Sequence, residues 1–222
     1  DESKADYKPM EQGTGAFSTL EALLKHPQRV MFHLRHEKQE KLIFSLSLII
    51  TLCLLVYGLI VGTFSGGEQL WAAPLKITLG CFISALICLP SLYIFACLNG
   101  VEARISEVSG LLFAAIALSS VLLIVFAPVA WIFSQSTNSI AFMGALHLVF
   151  CTIGTYFGLQ LLYKGLGFLK AGNLDHLRVW GVIFIMVALQ MTTALRPIIG
   201  IANTFLPVKK QFFVAHWLDC LK

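Results

Sequence analysis

Residues 42–64 read LIFSLSLIITLCLLVYGLIVGTF, an apolar stretch without a charged side chain. Four further apolar stretches follow, at residues 75–98, 111–133, 140–163 and 179–201. A helix needs about 20 mostly apolar residues to cross the hydrocarbon core of a bilayer. The stretches therefore predict an all-α fold, an integral membrane bundle of about five transmembrane helices over residues 42–201.

The composition agrees with a membrane protein. Of the 222 residues, 57% are hydrophobic and 13% are charged, which lies outside the range of soluble domains. The net charge of +4 is small and dispersed, so we expect no nucleic-acid partner. Five of the six cysteines fall in apolar stretches without CxxC spacing, which indicates small buried side chains rather than disulfides or a metal site.

The segments that flank the apolar region are polar or amphipathic. We expect residues 1–16 to be disordered. Residues 17–41 begin with Ser18 and Glu21 at capping-box spacing and carry the basic Arg29 and Arg35 among apolar side chains. Such a segment is typical of an interfacial helix on a headgroup surface. An equal alternative is that its apolar face docks onto the protein's own bundle.

The C-terminal tail, residues 202–222, mixes basic and aromatic side chains in a segment too short to span a bilayer. This pattern predicts an interfacial helix, and a helix that docks on a partner subunit would look the same. The residues that carry the pattern are Lys209, Lys210, Phe213 and Trp217.

Lysines and arginines near the spans predict the orientation, because such residues are enriched in cytoplasmic flanks. With the N-terminus inside, nine basic residues fall in inner segments and five in outer ones. We therefore expect a cytoplasmic N-terminus and an outside C-terminus, in a bacterial inner membrane or an equivalent one. If residues 179–201 form a re-entrant hairpin instead, the tail returns inside.

Polar side chains within the apolar stretches are functional candidates, because burying them in a membrane is costly. For His147 the alternatives are a metal or haem ligand, a proton relay, or a neutral imidazole bonded to a neighbouring helix. Arg196 could extend to the interface or bind a lipid phosphate or partner carboxylate. The complete candidate polar set is His147, Gln160, Gln190 and Arg196.

Gly154 and Gly158 form a GxxxG pair in the fourth stretch. This spacing lets two helices approach closely. It favours packing within the bundle over dimerisation.

The order of features resembles the Yip1-like family of multi-pass membrane proteins, particularly its bacterial members. The resemblance rests on the amphipathic segment with its His26-Pro27 step, on LPSLYIF at 89–95, on NGVEARISE at 99–107 and on APVAW at 127–131. It implies a cytoplasmic N-terminus, five helices and no catalytic residues. The acidic-Leu-x-Gly-Pro motif of eukaryotic members is absent before the first span, which argues against their trafficking role.

These patterns favour a non-enzymatic scaffold or accessory subunit of a membrane complex, whose partners are lipids and other membrane subunits. No Walker A, GxGxxG, GxSxG or HExxH motif is present, so we expect no catalytic residues and no metal. One alternative is a small transporter or channel with a polar path around His147 and Arg196. The other is a subunit that binds a cofactor through His147, although we expect neither haem nor quinone.

Overall fold

A computed structural model describes residues 15–36, 39–67, 69–101, 103–137, 139–169 and 175–194. Each secondary-structure element in these residues is an α-helix, which confirms the predicted all-α bundle. The helices are α1 (Ala16–Lys25), α2 (Pro27–His36), α3 (Gln39–Ser65), α4 (Gln69–Leu98), α5 (Ile105–Ser136), α6 (Ile140–Phe168) and α7 (Asp175–Ala194).

Four of the helices, α3 to α6, are long and apolar enough to cross a membrane. The shortest of them, α3, has 27 residues. At ~1.5 Å per residue it extends about 40 Å, which exceeds the ~30 Å hydrocarbon core. The chain is therefore an integral, multi-pass membrane protein.

The fifth predicted stretch corresponds to α7, which begins at Asp175 and is described as far as Ala194. Its apolar part, Leu177–Met191, is shorter than the spans of α3 to α6. Residues 195–201 lie outside the described residues. A fifth crossing, or a re-entrant hairpin in its place, thus stays a prediction.

Polar capping explains where α5 begins. The helix starts at Ile105, ahead of the apolar run at residue 111, because the backbone N–H of Arg104 donates to Oε2 of Glu107 at 3.2 Å. Such a contact satisfies a donor at a helix start.

The capping box expected at Ser18 and Glu21 is wrong. α1 already begins at Ala16, and the Glu21 carboxylate instead pairs with Lys25 one turn later, at 2.8 Å.

α5 occupies the centre of the bundle. It packs against α3 on one side and α6 on the other, while α4 packs against α3 and α7 packs against α4. Many of its buried positions are small, including Gly110, Ala114, Ala115 and Ala117. Small residues let neighbouring helices approach closely, which explains why this helix has the central place.

The N-terminal helices α1 and α2 pack against the bundle. His26 separates them, and Pro27 begins α2 at a position where the missing N–H has no helical partner to lose. The apolar side chains Leu23, Val30 and Leu34 are buried in the core cluster. The apolar face of this segment therefore docks onto the protein's own bundle, the second of the two alternatives, and Leu34 lies over Gly110 of α5.

Candidate functional site

His147 of α6 makes a buried contact with Tyr57 of α3. The Nδ1 atom of His147 lies 2.7 Å from the Tyr57 hydroxyl oxygen, and the two rings meet edge to face at 5.6 Å between centroids. When the hydroxyl donates to Nδ1, the ring hydrogen lies on Nε2. Within the described residues, Nε2 has no hydrogen-bond partner. The contact joins two helices, as in the neighbouring-helix alternative for His147.

Gln160 lies far from His147 although both belong to α6. Their separation of 13 positions in the sequence corresponds to about 20 Å along the helix axis and about 140° around it. The Nε2 amide of Gln160 donates to the hydroxyl of Tyr156 at 2.8 Å. Gln160 is therefore half-buried on the side of the helix that carries Tyr156 and does not face His147.

The remaining candidate polar residues lie elsewhere. Gln190 is half-buried in α7, whose main packing partner is α4, whereas His147 contacts α3. Arg196 lies outside the described residues. The three described members of the candidate polar set thus do not converge on one site.

Gly154 and Gly158 face α5. A Cβ added at Gly158 would lie 2.7 Å from the carbonyl oxygen of Ala115, and one at Gly154 would lie 3.1 Å from the carbonyl oxygen of Ser119. The Ser119 hydroxyl bridges the seam, with Oγ 3.0 Å from the carbonyl oxygen of Ala115 and 2.9 Å from that of Gly154. The GxxxG pair therefore packs inside the bundle.

Two buried polar contributors were missed in the sequence. Trp180 of α7 is fully buried and places its indole Nε1 3.1 Å from Oγ of Ser91 and 3.3 Å from the carbonyl oxygen of Cys88, both in α4. A tryptophan inside an apolar stretch is a usable signal, because a buried indole N–H usually has an acceptor. Lys76 of α4, a lysine at the start of the second apolar stretch, is only 1% exposed.

Of the predicted interfacial residues, Arg29 is half-buried in α2 and Arg35 belongs to the same helix. Lys209, Lys210, Phe213 and Trp217 lie outside the described residues. No group of three His, Cys, Asp or Glu side chains that could hold a metal occurs in the part of the chain that the structure describes.

The outward side of α6 carries an unusual row of polar side chains. Thr152, Tyr156 and Gln160 recur every four residues, so they lie along one side of the helix; we call them the α6 polar stripe. Tyr156 is 58% exposed, and the neighbouring Val149 is 53% exposed. The stripe is turned away from Gly154 and Gly158, which face α5.

The depth of the stripe makes it noteworthy. Gln160 lies about 10 Å from the midpoint of the α6 span, inside the ~15 Å half-thickness of the hydrocarbon core. Outward positions nearer the middle of other spans carry aliphatic side chains, such as Leu86 of α4 and Val125 of α5. Polar groups at that depth have no water to bond with, and their burial in hydrocarbon is unfavourable.

Among the described residues, the hydrogen-bonding capacity of the stripe is only partly used. The Thr152 hydroxyl donates to the carbonyl oxygen of Leu148 at 2.8 Å, so it is satisfied within its own helix. The Gln160 amide donates one N–H to the Tyr156 hydroxyl. Its second N–H and its Oε1 atom, together with the hydrogen of the Tyr156 hydroxyl, remain able to bond to another molecule.

Comparisons of the chain with protein-family models, with curated proteins and with solved structures found no match. The resemblance to the Yip1-like family therefore stays a prediction that rests on the layout of the sequence.

Proposed function

We propose that the chain is a non-enzymatic membrane scaffold or accessory subunit that holds another membrane protein chain against the α6 polar stripe. The observation that carries the proposal is the position of Tyr156 and Gln160. Tyr156 is exposed and Gln160 half-buried at hydrocarbon depth, and the large exposed side chains of the other spanning helices are aliphatic or aromatic. A helix that brings hydrogen-bonding groups to this face would replace contacts that lipid tails cannot supply.

The uses of the other polar side chains support a structural role. The Tyr57–His147 pair joins α3 to α6, Ser119 joins α5 to α6, and Trp180 joins α7 to α4. These groups hold helices together. The transporter alternative requires the candidate polar set to surround one wet path, and the separate contacts of its described members favour the scaffold.

The membrane and the orientation belong to the same proposal. Nine basic residues lie in segments on the same side of the membrane as the N-terminus and five on the other side. This excess supports a cytoplasmic N-terminus and an outside C-terminus, in a bacterial inner membrane or its equivalent. Reporter fusions at the two ends of the chain would test the orientation. Reporters that read the two ends on the same side would exclude five crossings.

The test of the scaffold is migration on a native gel after solubilisation of source membranes in mild detergent. We expect the wild-type chain in a band that holds at least one further protein chain. Tyr156→Phe combined with Gln160→Leu should release it, whereas Leu86→Ala, on the outward side of α4, should not. A wild-type band that holds one copy of the chain and no other protein would contradict the proposal.

A further inference from the structure

We propose that the chain held against the α6 polar stripe is a second copy of this protein, related to the first by a two-fold axis along the membrane normal. This inference rests on the proposed function, because it names the partner of the same face. It follows from the chemistry of Gln160, from the depth of the stripe and from the place of α6 in the bundle.

The Gln160 side chain is complementary to itself. A carboxamide has two N–H donors and an acceptor oxygen, and Tyr156 takes one donor. The remaining N–H and the Oε1 atom match the same pair of groups on another Gln160. Two such amides, face to face, form two reciprocal hydrogen bonds, which satisfies both side chains without any other polar group.

Depth favours a second copy over an unrelated helix. A two-fold axis along the membrane normal brings identical residues together at identical depth, because both copies cross the bilayer in the same way. Gln160 then meets Gln160, and the Tyr156 rings lie one turn away. An unrelated partner would need a polar side chain of its own at this depth.

Among the described residues, this side of α6 is exposed at Val149, Thr152 and Tyr156 and half-buried at Gln160. The main packing partner of α6 is α5, and α2 makes a smaller contact; beyond Gln160, the Tyr163 side chain extends to Gly181 of α7. Gly154 and Gly158 turn the opposite side of the helix toward α5. Val149 lies on the outward side with the stripe and is exposed, so two α6 helices can meet along Val149, Thr152, Tyr156 and Gln160.

The test is photo-crosslinking in intact source membranes with the full chain carrying Val149→p-benzoylphenylalanine. We expect a covalent product of twice the chain mass of 24.5 kDa. The matched control is Val125→p-benzoylphenylalanine on the outward side of α5, which is similarly exposed and should give no such product. Phe157→p-benzoylphenylalanine, at the edge of the same face, replaces the first variant if that one fails to fold.

A second substitution ties the product to the amide pair. Gln160→Leu in the Val149 crosslinking background should weaken dimerisation about five- to thirtyfold, and Gln160→Asn should retain part of the yield. Unchanged yield with Gln160→Leu would overturn the role of the amide.

The other outcomes separate the two proposals. A product with a different membrane protein would overturn the second copy and leave the proposed function standing. A link within the same chain, mapped by mass spectrometry to residues 195–222, would show that the chain covers its own stripe and would overturn both. Attachment to lipid alone would also overturn both.

Discussion

Replacing Gly158 by alanine should separate α5 from α6 and destabilise the bundle. The new Cβ would lie 2.7 Å from the carbonyl oxygen of Ala115, where ordinary contacts begin at 3.4 Å. The helices must therefore give way by several tenths of an ångström. Because the obstructing atom belongs to the backbone of α5, the strain cannot be relieved by a simple rotamer change.

The expected size follows from general packing energetics. Overpacking of this kind costs about 1–3 kcal/mol, and displacing the Ser119 hydroxyl from Gly154 costs about 1 kcal/mol more. The better helix propensity of alanine offsets up to about 1 kcal/mol of this loss. We therefore expect a net loss of about 1–3 kcal/mol for Gly158→Ala. Gly154→Ala, whose Cβ would lie 3.1 Å from the nearest atom, should lose less.

The matched control is Gly167→Ala. This glycine belongs to the same helix, but an added Cβ would have no atom within 4 Å, so the change should be neutral or slightly stabilising. The assay is reversible unfolding of the purified protein in mixed micelles, with helix content followed against the fraction of denaturing detergent. If Gly158→Ala unfolds at or beyond the midpoint of Gly167→Ala, the assigned seam between α5 and α6 is wrong.

Three further predictions address other contacts of the described residues. Tyr57→Phe leaves the His147 ring without its hydroxyl partner and should lower the free energy of unfolding by about 1–3 kcal/mol; a double-mutant cycle with His147→Leu that shows no coupling would refute the contact. Leu34→Asp places a carboxylate against Gly110 and should release α2, so that protease cuts near residues 37–38 sooner than in the exposed control Phe17→Asp. The Lys25 ammonium, bonded to Glu21, holds the pKa of the Glu21 carboxyl below its ordinary value. The stabilising contact is therefore present above the ordinary pKa of a glutamate and is lost as pH falls through the lowered value; in an NMR titration Lys25→Ala should return that pKa toward its ordinary range, and an unchanged titration would refute the pairing.

The sequence was informative about residue types at the candidate site but not about their partners. Gly154, Gly158, His147 and Gln160 stand out because small or polar residues are rare in long apolar stretches. Ser119 does not stand out, because a single hydroxyl in a span usually bonds to its own helix backbone. Its second bond, to Gly154, depends on the approach of another helix.

Hydropathy by itself determined that this protein is a helical, multi-pass membrane protein, because a segment in lipid must satisfy its backbone hydrogen bonds internally and a helix does so. Which side of each helix faces another helix was decided by tertiary structure alone. A span that is apolar all round carries almost no sign of its inner face, since lipid tails and leucine side chains are equally apolar. Only the packed bundle therefore places the GxxxG pair against α5 and leaves Tyr156 exposed and Gln160 half-buried on the other side of α6.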